Sequence, residues 1–365
     1  MISIAHLKAV LRLTQWLGPW SEYKSPPIHR YRVDVSYGTK TMALHLFCHP
    51  KKKPHGAIFL IPGVHFQGGE HPAIVRIAAI MAHAGFFVGV PSLLDFISSR
   101  ITPDVIDQAE QAFASFIVQP AHPQTSTCIA SISFGSLPAF GLASRAHIQE
   151  KISGVLTFGG YLEWLPVMQF CLDDSPGVPC DRRNFPIVFI LLSEYWKESH
   201  NLDVILRAWD RYIEQTWRLE PKPTIEELRE VAMPIAQQLN AAEQQIFLHG
   251  CGLTKDWKAV SQRAMTSLKT LDWLNNHTRI ALMKCPIVAV HAMTDEIVPV
   301  AQAQALYRYH AHHPHSRWYR TGIYGHSGQN TSNQIAPLAI YRELRTLLAI
   351  IHRLTKMSLE TSSSN

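Results

Sequence analysis

The side chains best suited to chemistry in this 365-residue chain are a serine, an aspartate and a histidine, far apart in sequence. Ser133 stands in Thr127-Cys-Ile-Ala-Ser131-Ile-Ser133-Phe-Gly135-Ser136, a strand-like run that stops at a serine. Small residues and a helix-like segment over 137–144 follow. A serine forced into a tight strand-to-helix turn projects its hydroxyl above the sheet edge, the logic of the G-x-S-x-G elbow. Here the pattern reads S-x-S-x-G, with Ser131 in the place of the first glycine. Serine is a poor nucleophile at neutral pH unless a base takes its proton and an acid orients that base. Asp295 suits the acid: it lies just past an apolar run at 285–292, in Ala292-Met-Thr-Asp295-Glu296-Ile-Val-Pro299. His326 suits the base, because the glycines in Tyr324-Gly-His326-Ser-Gly328 give it room to turn into a crowded site.

Other residues compete for these roles. Glu296 adjoins Asp295, and Asp173 or Asp174 could supply the acid from an earlier loop. Ser131 and Ser136 are also hydroxyls near the elbow, but neither has a glycine two residues on. The cluster His310-Ala-His312-His313-Pro-His315 invites a metal reading. Without carboxylates or cysteines at ligand spacing it reads instead as a solvated helix end.

These loops need elements to carry them. Residues 29–36 and 39–48 read as an antiparallel hairpin. A continuous apolar run at 56–61 reads as a strand buried on both faces. It opens into Pro62-Gly63-Val64-His65-Phe66-Gln67-Gly68-Gly69, a glycine-rich loop. A helix over 71–84 closed by Gly85, a strand from 86, a helix over 104–116, the elbow strand and a strand over 152–160 complete the first half. That alternation predicts a parallel sheet with helices on both faces. Residues 161–280 read as mostly helical and rich in Trp, Gln and Leu, with 185–192 ambiguous between helix and strand. Trp196, Trp209 and Trp217 read as the small core of this insert. Alternation then resumes with a strand at 285–292, a helix over 301–309, a strand from 317 and a closing helix over 335–354.

Taken together, the chain resembles the α/β-hydrolase superfamily over residues 30–163 and 284–354, but not over the insert. The resemblance implies an α/β-hydrolase fold: a mostly parallel central sheet, helices on both faces and a helical cap insert. It implies boundaries at 1–28 (amphipathic helix), 29–163 (core), 164–281 (lid), 282–356 (core) and 357–365 (flexible tail). It matches Ser133 to the nucleophile, Asp295 to the acid after the seventh strand and His326 to the base after the eighth. Pro62-Gly63-Val64 matches the oxyanion loop, with the backbone N–H groups of Val64 and Phe134 as donors. His65 and Phe66 are either loop and core residues or walls of the substrate pocket.

Composition bounds the rest. With 47% hydrophobic and 17% charged residues the chain can build a large core. The net charge of +6 is scattered except at Lys51-Lys52-Lys53, which reads as a solvated turn, so no nucleic-acid partner is expected. Six cysteines without a C-x-x-C pair read as reduced thiols, although Cys171 and Cys180 could pair. The expected compartment is the cytoplasm. The amphipathic first 17 residues read as a helix docked on the domain, with interfacial membrane contact through Trp16 and Trp20 as the sharper alternative. The expected activity is serine esterase chemistry on a small, partly apolar acyl substrate, with no cofactor and no metal. An acyltransferase and a non-catalytic homologue are the alternatives.

Overall fold

The computed structural model describes residues 3–18, 20–21, 24–175, 177–178, 180–197, 201–322 and 337–359. Eight strands form one sheet: β1 (His29–Tyr37), β2 (Lys40–Cys48), β3 (Gly56–Ile61), β4 (Phe86–Pro91), β5 (Thr127–Ile132), β6 (Ile152–Phe158), β7 (Ile287–Ala292) and β8 (Arg317–Thr321). Their order is β1-β2-β4-β3-β5-β6-β7-β8. β2 runs antiparallel to both β1 and β4, and every other neighbouring pair is parallel. The central strands β3, β4 and β7 are buried along their whole length, which is why they read as unbroken apolar runs.

Helices of the first half are α1 (Ile4–Leu17), α2 (Pro72–Ala84), α3 (Leu94–Ile97), α4 (Asp104–Ile117) and α5 (Ser136–Ala143). α2 starts at a proline and stops at Gly85, whose φ of 110° is open to glycine without strain. The insert carries α6 (Trp164–Cys171), α7 (Phe185–Leu191), α8 (Leu202–Thr216), α9 (Ile225–Ala236), α10 (Ala241–Gly250), α11 (Trp257–Ser267) and α12 (His277–Leu282). α13 (Ala301–Tyr309) joins β7 to β8, and α14 (Pro337–Leu359) closes the described chain. The sheet separates two apolar layers, since alternate residues of a strand face opposite ways. Ala57, Phe59 and Ile61 join the layer shared with α4, α5 and the insert, whereas Ile58 and Leu60 join that of α1, α2 and α14.

The structure decides one open reading and differs from expectation in two places. The ambiguous run at 185–192 is the buried helix α7, because Pro186 at its first turn sets a helical φ and costs no bond. The segment expected to fray from 357 continues α14 to Leu359, with Met357 and Ser358 buried against the sheet. The rest of that tail, 360–365, lies outside the described residues. His310 is not a solvated helix end: it is fully buried, with Nδ1 2.9 Å from Ser316 Oγ, which in turn accepts the Ile287 N–H. His312 and His315 are exposed.

All six cysteines are free, Cys171 and Cys180 included. Among the described residues no helix is long and apolar enough to cross a membrane, and no group of three or more His, Cys, Asp or Glu could hold a metal ion.

Candidate active site

The site begins with backbone strain. Ser133 follows directly on β5 and takes φ = 54°, one of three described non-glycine residues with positive φ. An L-residue pays about 1–3 kcal/mol for such a conformation, which persists only where the surroundings enforce it. Here they do. Gly135 sits against the end of β3, where an added Cβ would stand 2.5 Å from the Ile61 carbonyl oxygen and 2.7 Å from that of Pro62. Gly63 closes over the serine itself, where an added Cβ would stand 3.1 Å from Ser133 Cβ and 3.7 Å from its Oγ. These glycines let the loop after β3 and the turn after β5 approach to van der Waals contact. That contact brings Val64 and Phe134, each next in chain to one of the touching residues, to the same corner of the sheet. Phe134 is buried, with its ring 5.2 Å from that of Tyr161.

The competing hydroxyls are placed differently. Ser131 is 1% exposed within the ladder, opposite Ile61 and Thr157. Ser136 is fully buried in the first turn of α5. A side chain heavier than hydrogen is thus accommodated at 131, beneath the turn, so the missing first glycine of the pattern leaves the elbow intact.

Asp295 is 4% exposed in the loop after β7. Its Oδ1 accepts the N–H groups of Ile297 (2.9 Å) and Val298 (2.8 Å), a turn that fixes the carboxylate. Its Oδ2 lies 3.2 Å from Nε2 of His291, a fully buried residue of β7. The same Nε2 is 2.7 Å from the Val298 carbonyl oxygen, to which it donates. His291 therefore ties the strand to the returning loop and holds the Asp295 carboxylate in place. The sequence reading passes over it. Its only signal is a polar side chain inside a continuous apolar strand, four residues before the acid.

The rival acids are engaged elsewhere. Glu296 is half-exposed and paired with Lys222 of the insert at 2.8 Å. Asp174 pairs with Arg182 at 2.7 Å and also with Lys258, and Asp173 accepts the Ser175 N–H at 3.0 Å. The expected base, His326, lies outside the described residues.

The insert reaches the loops that follow β3 and β7, through Trp217 against His65 and Lys222 against Glu296. Its exit and return are laced together: Asn276 donates to the Tyr161 carbonyl at 3.0 Å, and Asn275 Oδ1 accepts the Trp164 N–H at 3.1 Å. Gln302 of α13 accepts the N–H groups of Leu162 and Glu163. Above this root, Arg100, after α3, holds Asp210 of α8 through two 2.8 Å bonds. Trp196 and Trp209 do form the insert's own core. Trp217 does not stay within it. Its ring centroid lies 5.0 Å from His65 and 6.4 Å from Phe66, in a three-ring cluster over the loop that contains Gly63. The Trp217 indole N–H donates to the Arg183 carbonyl at 3.0 Å, so the ring is anchored from behind. Burial, aided by His71 and Arg218, pulls the pKa of His65 down to about 3, so this ring is neutral. The stretch 217–222 thus touches the loop after β3 through Trp217 and the loop after β7 through Lys222.

No family model matches the chain, and no curated protein matches it. Solved structures do match. The uncomplexed acylaminoacyl peptidase of Pyrococcus horikoshii aligns with a TM-score of 0.51 at 9% identity, over 94% of this chain and 43% of its own. Brefeldin A esterase, described as a bacterial homologue of human hormone sensitive lipase, aligns with a TM-score of 0.50 at 10% identity, over 100% of this chain and 88% of its own. The chain spans 41–43% of the length of the acylaminoacyl peptidase structures that it matches. At such identities the likeness is one of fold.

Proposed function

We propose that this chain, which has the α/β-hydrolase fold, is a serine hydrolase that cleaves a carboxylic ester or a similar acyl bond. The observation that carries this reading is Ser133 at φ = 54° on the end of β5, with Gly63 packed on its side chain. Ser99 and Gln124 also take positive φ; Ser133 differs from them in taking it directly at the end of a buried strand, beneath Gly63, where a nucleophile must turn clear of the strand.

In this reading Ser133 Oγ attacks the substrate carbonyl while His326 takes the hydroxyl proton. The N–H groups of Val64 and Phe134 receive the developing oxyanion, and removing one such donor typically costs on the order of 3 kcal/mol of transition-state stabilisation. His326 then returns the proton to the departing alcohol, leaving an acyl-enzyme. Water, deprotonated by the same imidazole, attacks the acyl carbon and releases the acid. Asp295 holds the imidazole in one orientation and stabilises its protonated form. The two N–H groups on Asp295 Oδ1 and the His291 ring beside Oδ2 keep that carboxylate still. The ring cluster of His65, Phe66 and Trp217, with the Arg218 guanidinium 5.0 Å over Phe66, is an aromatic wall beside the oxyanion loop, which suits a partly apolar acyl group.

The test is turnover of a p-nitrophenyl ester series by wild type and Ser133→Ala, with analysis of the acyl product in the presence of a competing alcohol. The expected result is free acid as the product and a loss of at least about 10⁴-fold in kcat for the variant. Acyl transfer to the alcohol in place of acid release would make the protein an acyltransferase. Equal turnover by the variant would remove Ser133 from the chemistry.

A further inference from the structure

Helix α1 has two apolar faces, and only one is used by the fold. His6, Ala9 and Leu13 are buried against α2 and α14. The contact includes a 2.9 Å pair between His6 Nε2 and His352 Nδ1. On the opposite face Ile4, Leu7 and Leu11 are 74%, 56% and 61% exposed, on successive turns of one stripe. Trp20, just beyond the helix, is 56% exposed. A surface helix needs one apolar face to dock, and a second one facing water is unpaid unless something covers it.

The charges around this stripe say what covers it. The helix contains no acidic residue, and its charged side chains are Lys8 and Arg12. Beside it lies the turn after β2. His49 of that turn stacks on His83 of α2 at 5.4 Å, and His83 meets Trp16 of α1 edge-on at 6.0 Å. The turn continues into Lys51, Lys52 and Lys53, all exposed. Lys8 and Arg12 border the apolar row on one side, and the contacts from Trp16 through His83 to His49 put the lysine turn on that same side of the helix, so five cations from two elements line one edge of the row. A second protein would have to match this arrangement by its own shape. An anionic bilayer matches it by chemistry, taking the apolar side chains below the headgroups while its phosphates face the lysines.

We propose that the outer face of α1, with the lysine turn 51–53, docks the protein onto an anionic lipid surface. This is independent of the hydrolase reading, since none of these residues belongs to the site around Ser133. The apolar stripe supplies burial, and the lysines select the charge of the surface.

Cosedimentation of the full chain with two kinds of vesicle tests it: phosphatidylcholine alone, and phosphatidylcholine mixed with phosphatidylglycerol. The protein is expected to pellet with the mixed vesicles, to be released by salt, and to stay in solution with phosphatidylcholine. Leu7→Ser with Leu11→Ser should lower the partition coefficient at least about tenfold. Replacing Lys51, Lys52 and Lys53 by glutamine should lower it about fivefold per lysine on mixed vesicles only. All five positions are exposed, and circular dichroism melting verifies that each variant is folded. Wild type remaining in solution with both vesicles, or either folded variant pelleting like wild type, overturns the proposal. A wild-type dimer in size-exclusion chromatography with light scattering that the leucine variant dissociates would assign the stripe to a second copy instead, and equally overturns it.

Discussion

At the scale of single residues, the account depends on which polar groups are held still and which are merely present. Asp295 and Glu296 are neighbours with opposite surroundings: one is buried on two backbone N–H groups, the other half-exposed against a lysine. Asp295→Asn should therefore lower kcat by on the order of 10⁴-fold, because an amide no longer fixes the tautomer of the base. Glu296→Gln should leave kcat within about threefold, since an exposed ion pair is worth about 0–1 kcal/mol. Steady-state kinetics on one ester separates the two. The sequence marks Ser133 and Asp295 as candidates because each follows an apolar run, and elbow spacing favours one serine over its neighbours. It does not make legible the holding of the acid. His291 reads as one more residue of a buried strand, and only the return of the loop brings Val298 back onto it.

At the scale of elements, close approach is what builds the site. Gly135→Ala would press a methyl group onto two backbone carbonyls that cannot move independently of β3. A loss of about 1–3 kcal/mol in urea unfolding is expected, with a fall in activity as the elbow shifts. The strands and most helices of the core were readable, because their periodicity and their Gly and Pro stops act over a few residues. α7 was ambiguous for the same reason: seven buried apolar residues carry no period that distinguishes helix from strand. The docking of the insert was not readable, because the Trp217–His65 contact joins residues from different parts of the chain. Trp217→Ala should raise KM for a bulky ester up to about tenfold while kcat changes by a few-fold at most, as expected for losing aromatic contacts worth about 0.5–1.5 kcal/mol in a wall that binds ground and transition states alike. A fall in kcat with unchanged KM would mean instead that the ring acts on the oxyanion loop.

At the scale of the whole molecule, the mostly parallel sheet and the helices on its two faces follow the sequence pattern. The burial of histidines does not. Burial holds the pKa of His65 near about 3 and those of His122 and His310 near about 4. Their ordinary value is 6.5. The unfolded chain therefore binds more protons than the native one between these limits, and stability rises with pH there. The contribution is complete above pH 6.5 and is lost as pH falls through about 4 to about 3. The urea midpoint should fall steadily over that range, and His65→Phe, which keeps a ring in the cluster, should flatten the lowest part of the curve. A midpoint independent of pH from neutrality to about 4 would contradict the burial of these rings.

The central claim is that the strained serine at the end of β5 is a nucleophile, and its most direct measurement is covalent capture. Folded wild type and Ser133→Ala are incubated with a fluorophosphonate probe, and the adduct is located by peptide mass spectrometry. The account predicts one adduct, on the peptide carrying Ser133, and none in the variant at matched circular dichroism. Labelling that survives the substitution, or folded wild type that takes no label, would contradict it.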